Sequence, residues 1–132
     1  MAESALSAVL RRLREGRGLS LREVSVLSGL DHAYIHRLET GEKEAPSDEA
    51  LARLFRALRP TSRQERVLRF LVGREVAVDL VDPSIIDDPG IALEDFESAA
   101  QMSFRGKKPT TPTEWRTAIE RIGRLREELE GG

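Results

Sequence analysis

The sequence predicts an all-α fold: a four-to-five-helix N-terminal head over residues 1–60 and a smaller helical unit over residues 61–132. Three observations carry that prediction. Apolar residues recur every three or four positions through most of the chain, the spacing of one helix face. The runs open on Ser, Thr or Asp and close on Gly or before Pro, the residues that satisfy or release helix ends. Aromatics make up only 5% of the chain, so the core falls to Leu, Val, Ile and Ala.

The first helix spans residues 5–15, with Leu6, Val9, Leu10 and Leu13 on one face and Gly16 and Gly18 ending it. Ser20 with Glu23 forms a capping box, in which hydroxyl and carboxylate each accept from a free backbone N–H, and opens a short helix from Leu21 to Ser28. Gly29 suits the left-handed conformation that stops a helix, Leu30 turns inward, and Asp31 is the expected cap of a third helix through Thr40, closed by Gly41. Ser47 caps a fourth, burying Leu51, Leu54, Phe55 and Leu58, and Pro60 marks a boundary.

In the second half Ser62 and Glu65 read as another capping box, before Val67, Leu68, Phe70 and Leu71. The stretch "REVAVDLVDPS" mixes alternating and continuous apolar character and is assigned to helix from its all-helical context. After the turn-rich "DPSIIDDPG", a helix from Glu94 to about Ser103 gathers Leu93, Phe96, Ala99 and Met102. The basic loop "RGKKPTTPT" precedes a last helix with Thr111 as cap, Pro112 first and Glu114 completing the box. It directs Trp115, Ile119, Ile122, Leu125 and Leu129 inward.

Bulk properties narrow the function. A chain of 132 residues buries one core or two small ones and leaves no room for a large active-site cavity. With no Cys there is neither a disulfide framework nor a thiolate metal site. No apolar run approaches a membrane span and the first residues lack a signal-peptide core, so a cytoplasmic, nucleoid-associated location is expected. Net charge is −2; residues 1–60 carry ten Lys or Arg against nine Asp or Glu, and residues 61–132 carry eleven against fourteen. Any contact with nucleic acid therefore depends on a few placed cations rather than a basic tail. The only two histidines lie together, and no Ser-His-Asp set or phosphate-cradling loop is present, so no enzyme activity and no cofactor are expected.

Two short helices around a Gly-centred turn offer the second of the pair to a DNA major groove. Over "LSLREVSVLSGLDHAYIHRLETGEKEAPS" the chain resembles the Cro/C1-type (XRE) helix-turn-helix family, from Leu6 to Leu58. The resemblance places Val24, Leu27, Leu30, Ile35 and Leu38 at buried positions and Gly29 in the turn. It implies base reading by Asp31, His32, Ala33, His36 and Arg37, with Arg37 best suited to a guanine because its planar fork donates to O6 and N7 together. Phosphate contacts are expected from Arg17, Arg22, Tyr34 and Lys43; Leu21 stands where many relatives have Gln. Asp31 suits a helix cap better than a base contact, and Tyr34 suits a packing role as well as a phosphate contact. His32 and His36 share one helix face but lack a third metal ligand, so no metal is expected. Arg14 and Glu39 match positions that pair beneath the surface in related heads; the alternative is two separate solvated charges.

One such head contacts little DNA, so a homodimer on an inverted-repeat operator is expected, with the second half as dimer maker. There, "LVDPS" followed by "MSFRGKKPTTPTEWRTAIERI" resembles the tail of the DdrO-type repressors. That resemblance implies dimerisation through Phe96, Trp115, Ile119, Ile122 and Leu125. It also implies inactivation by a zinc metallopeptidase of the IrrE/ImmA kind, cutting between Phe104 and Arg105, in a regulator of a stress or DNA-damage response or of a mobile element. The alternatives are that "RGKKP" is a solvated turn or a DNA-backbone contact, and that the chain is an antitoxin repressing its own operon.

Overall fold

The computed structural model describes residues 4–42 and 45–131. Those residues form eight α-helices and one 3₁₀ turn, with no strand among them. They divide into two units, Met1–Val76 and Ala77–Gly132.

In the first unit, α1 (Ala5–Gly16) opens on a Ser4–Ser7 capping box and buries Leu6, Val9 and Leu10. The Ser20–Glu23 box starts α2 (Leu21–Ser28), and Gly29, at φ +75°, stops it in the left-handed conformation. Here α2 departs from expectation, because Leu27 is 56% exposed. The helix is only two turns long and points Val24 and Ser28 inward, four residues apart, which leaves Leu27 on its flank. Next comes α3 (His32–Thr40), closed by Gly41 at φ +83°. Its N-cap is Asp31, but the Asp31 side chain makes no capping hydrogen bond and stands in solvent. The expected cap is therefore a backbone one only.

Ser47 accepts from the Ala50 N–H at 3.1 Å and opens α4 (Asp48–Leu58), which buries Leu51, Leu54, Phe55 and Leu58. The next helix, α5 (Ser62–Leu71), is capped by Thr61 with Gln64 rather than Ser62 with Glu65. Both pairs satisfy the same sequence rule; the observed one begins the helix directly behind Pro60 and turns Val67, Leu68 and Leu71 into the core. Because α5 packs on α1, the unit ends after Val76 and not at residue 60, where Pro60 breaks only the local helix.

The second unit corrects one helix assignment. Gly73, at φ +75°, ends the run behind α5, and "REVAVDLVDPS" forms no continuous helix. It contains instead a link, a 3₁₀ turn (Val78–Val81), and the start of α6 (Pro83–Ile86). Asp82 caps α6 by accepting from the Ser84 N–H at 3.0 Å, with Pro83 at the first position. Two tight turns bury the adjacent pairs Leu80–Val81 and Ile85–Ile86, which one amphipathic helix would split between its faces. Then α7 (Leu93–Ala100) ends three residues short of expectation, leaving Met102 45% exposed, and α8 (Pro112–Gly131) packs along it.

Candidate nucleic-acid interface

The turn between α2 and α3 is held by a small closed set of hydrogen bonds. The Gly29 N–H donates to the Ser25 carbonyl at 2.8 Å, the Ser25 hydroxyl donates to the Leu30 carbonyl, and the Leu30 N–H donates to the Ser28 hydroxyl at 3.1 Å. From α4, Arg53 reaches across to the turn, and a Cβ on Gly29 would stand 2.8 Å from its Nη1. Position 29 thus favours glycine for its φ, while the close contact falls on the mobile end of Arg53, which a Cβ would push aside.

Behind α3 lies a buried ion pair. Arg14 Nε donates to Glu39 Oε2 at 2.7 Å and Nη2 to Oε1 at 2.9 Å, while Nη1 donates to the Leu19 carbonyl at 2.8 Å. Side-chain exposure is 17% for Arg14 and 6% for Glu39, so both charges sit where water competes poorly. The hydrogen bond to Glu39 raises the Arg14 pKa against the opposing effect of burial. With Ile35 and Leu38 also buried, α3 is fixed along its inner side, against α1 and α2.

The opposite side of α3 is solvent-facing. His32, His36 and Arg37 are exposed, and Ala33 is half-buried one turn before Arg37. His32 Nδ1 lies 3.8 Å from Asp31 Oδ1. These five residues, all selected from the sequence as base readers, occupy the N-terminal part and outer edge of one helix. Tyr34 is half-buried on the flank, and that burial raises its phenol pKa. Among the described residues no cluster of three or more His, Cys, Asp or Glu side chains is placed to hold a metal ion.

The residues expected on phosphates are placed less uniformly. Arg22 is exposed at the start of α2, beside half-buried Leu21. Arg17 is also exposed, and its Nη1 donates to the Ala57 carbonyl at 2.7 Å, which satisfies the free end of α4 and gives this side chain a structural contact. Lys43 lies outside the described residues. Two further residues belong to this region and were not singled out from the sequence. Thr40 shares the outer edge of α3 with His36 and Arg37, a place that i+3 and i+4 spacing would have shown. Arg53 braces the turn from 25 residues away, and nothing local marks it.

In the second unit the residues expected at a dimer face separate into two groups. Phe96, Trp115 and Ile119 are at most 2% exposed and form the unit's own core; they are not surface contacts. Ile122 is half-buried and Leu125 is 54% exposed. Two polar pins hold α8: Arg126 bonds Asp95 at 2.8 and 3.1 Å, and Arg116 bonds the Ser84 carbonyl and Asp88. Phe104 is half-buried, with its ring edge-on to Trp115 at 5.5 Å, and Arg105 is exposed beside it.

A tight turn between two short helices, the second fixed behind and polar in front, defines a helix-turn-helix domain. Residues 5–68 match the family model described as a helix-turn-helix domain. That span ends inside α5, consistent with five helices in the head. No curated protein matches the chain. The described residues are all-helical, with an N-terminal helix-turn-helix domain that suggests a DNA-binding regulator. No helix among the described residues is long and apolar enough to cross a membrane.

Proposed function

We infer that the protein is a sequence-specific transcriptional repressor that binds an inverted-repeat operator as a homodimer. The observation that carries this reading is the outer edge of α3, where His32, His36 and Arg37 face solvent while Arg14 and Glu39 lock the helix from behind. A helix read by a groove must keep its orientation when its charged side meets phosphate, and a bidentate pair supplies that rigidity. Arg37 donates to a guanine, His32 and His36 read neighbouring base edges, and Ala33 meets a thymine methyl. Arg22 and Lys43 hold the backbone.

The same reading assigns the loop after α7 to control by proteolysis. Residues 102–111 contain no helix, Gly106 sits at φ +92°, and Arg105 is exposed, so the Phe104–Arg105 bond lies in chain that a zinc metallopeptidase of the IrrE/ImmA kind can take up once Phe104 leaves Trp115. Cutting there separates α8, and with it Trp115 and Ile119, from the rest of the second unit's core. Loss of that core ends dimerisation and lowers operator affinity.

Selection of binding sites from random duplexes at two salt concentrations tests the reading. An inverted repeat is expected. Arg37→Ala should cost about 1–3 kcal/mol and relax preference at one base position per half-site, whereas Lys43→Ala should weaken all duplexes alike. Recovery of no sequence preference, or equal losses on every duplex for both changes, would contradict it. Incubation with such a metallopeptidase should release a fragment beginning at Arg105, and an intact chain would remove the proteolytic part alone.

A further inference from the structure

The outward side of α8 carries a pattern that its own unit leaves unused. Its inward side is occupied: Trp115 and Ile119 are 2% exposed, and Arg126 is held by Asp95. About a quarter turn away runs a second apolar stripe, Ala118, Ile122, Leu125 and Leu129, at intervals of four, three and four residues. Leu125 is 54% and Leu129 86% exposed. Along the outer flank of that stripe stand Arg121 and Glu128, one heptad apart, both exposed and neither with a partner among the described residues.

We propose that this stripe pairs with the same stripe of a second copy, the two α8 helices running antiparallel, with Arg121 of each copy against Glu128 of the other. The inference rests on the dimeric reading above and adds the orientation, the register and the groups that choose them. A two-fold axis beside residues 123–124 sets Ile122 against Leu125 of the other copy and Ala118 against Leu129. In a heptad description Arg121 and Glu128 take the flanking g positions, which face each other in an antiparallel pair. One rotation therefore forms both bridges. A parallel pair forms neither bridge, because it sets each Arg121 toward Arg126 of the other copy, whose guanidinium Asp95 already occupies. An isologous contact needs a patch complementary to itself, and a flank carrying its positive charge toward one end of the stripe and its negative charge toward the other is such a patch. The seam is about three helical turns long, near 16 Å, which puts it among small, reversible interfaces.

Charge exchange in the full-length protein tests the pairing, read by sedimentation equilibrium with circular dichroism as a check on helix content. Arg121→Glu and Glu128→Arg should each weaken self-association, about tenfold in Kd at low salt, since each places two like-charge contacts across the axis. Mixed together, the two variants should associate with each other about as well as the parent associates with itself, because every contact is again between opposite charges. The doubly exchanged protein should recover likewise. Tighter association of Arg121→Glu would mean parallel helices. Unchanged association in both single variants, failure of the mixture to recover, or a monomeric parent would equally overturn the proposal. Operator binding measured beside it separates the two claims: two-fold footprints with dimerisation indifferent to these charges remove the seam and leave the repressor, whereas charge-dependent pairing without preference for an inverted repeat does the reverse.

Discussion

In the first unit a buried carboxylate, Glu39, meets Arg14 between α3 and α1; in the second a buried carboxylate, Asp95, meets Arg126 between α7 and α8. Both acids are 5% exposed, and both take a bidentate guanidinium. What differs is the surface each pin supports. Behind α3 it steadies an edge of histidines and an arginine; behind α8 it steadies an edge of leucines. The surroundings differ as well. Glu39 has no second cation among the described residues, whereas Arg126 also meets Glu94 at 3.4 Å and Glu130 at 3.1 Å. The same local chemistry thus makes an isolated pin in one unit and a shared, partly solvated network in the other.

That contrast sets the largest predicted effect. Arg14→Ala strands the Glu39 carboxylate in the interior and should lower stability by about 3 kcal/mol, near the lower bound for breaking a buried pair because Arg14 keeps some solvent contact. Chemical denaturation measures it. Asp95→Ala should cost less, about 1–2 kcal/mol, because the guanidinium it leaves behind retains Glu94, Glu130 and water. Equal losses would erase the distinction between pin and network.

The glycines sharpen the same comparison at a smaller scale. Gly29→Ala puts a Cβ at φ +75° and 2.8 Å from Arg53 Nη1, so it should cost about 1–2 kcal/mol and loosen α3 on the head. Gly123 has ordinary helical φ; its Cβ would meet Asp95 Oδ2 at 3.0 Å. Alanine there gains about 1 kcal/mol of helix propensity and loses a similar amount against the carboxylate. Near-neutral in the parent, Gly123→Ala should become stabilising once Asp95 is also alanine. A double-mutant cycle in thermal unfolding shows that change of sign or its absence.

The head was more legible than the tail, for reasons of range. Ser20 with Glu23, Ser47, Gly29 and Gly41 act on backbone within a few residues, so the limits of α2, α3 and α4 follow from the sequence almost residue by residue. Thr61 and Ser62 show where local signals saturate: each has an acceptor three residues on, and only the packing of Val67, Leu68 and Leu71 selects between them. Trp115 and Leu125 show the larger gap. Both are apolar and lie on the last helix, and periodicity states that such residues are covered without stating by what. The fold covers Trp115 with its own unit and leaves Leu125 in solvent. Arg17 and Arg53 are assigned by contacts 40 and 25 residues away, which no local pattern encodes.

The smallest predicted effect is a pH dependence that reaches both units through their helix starts. At α2 the Ser20 N–H donates to the Glu23 carboxylate at 2.9 Å, and at α8 the Thr110 N–H donates to Glu114 at 3.2 Å. Those backbone hydrogen bonds, with help from the Ser20 and Thr110 hydroxyls, hold both carboxylates below the ordinary glutamate range. A lowered folded-state pKa means stabilisation that is complete above the unfolded value, about 4.3, and is lost as pH falls through the folded value. Arg14 and Arg126, whose pKa values are raised, stay charged throughout and add no slope in that window. Amide exchange of Ser20 and Thr110 should therefore stay protected at pH 5–6 and lose protection below about 4, with Glu23→Gln and Glu114→Gln flattening the response at their own helix only. Glu114 also has Lys107 at 4.0 Å, so its response should weaken with added salt more than that of Glu23. Loss of protection at the same pH in both glutamine variants would place the titrating group elsewhere.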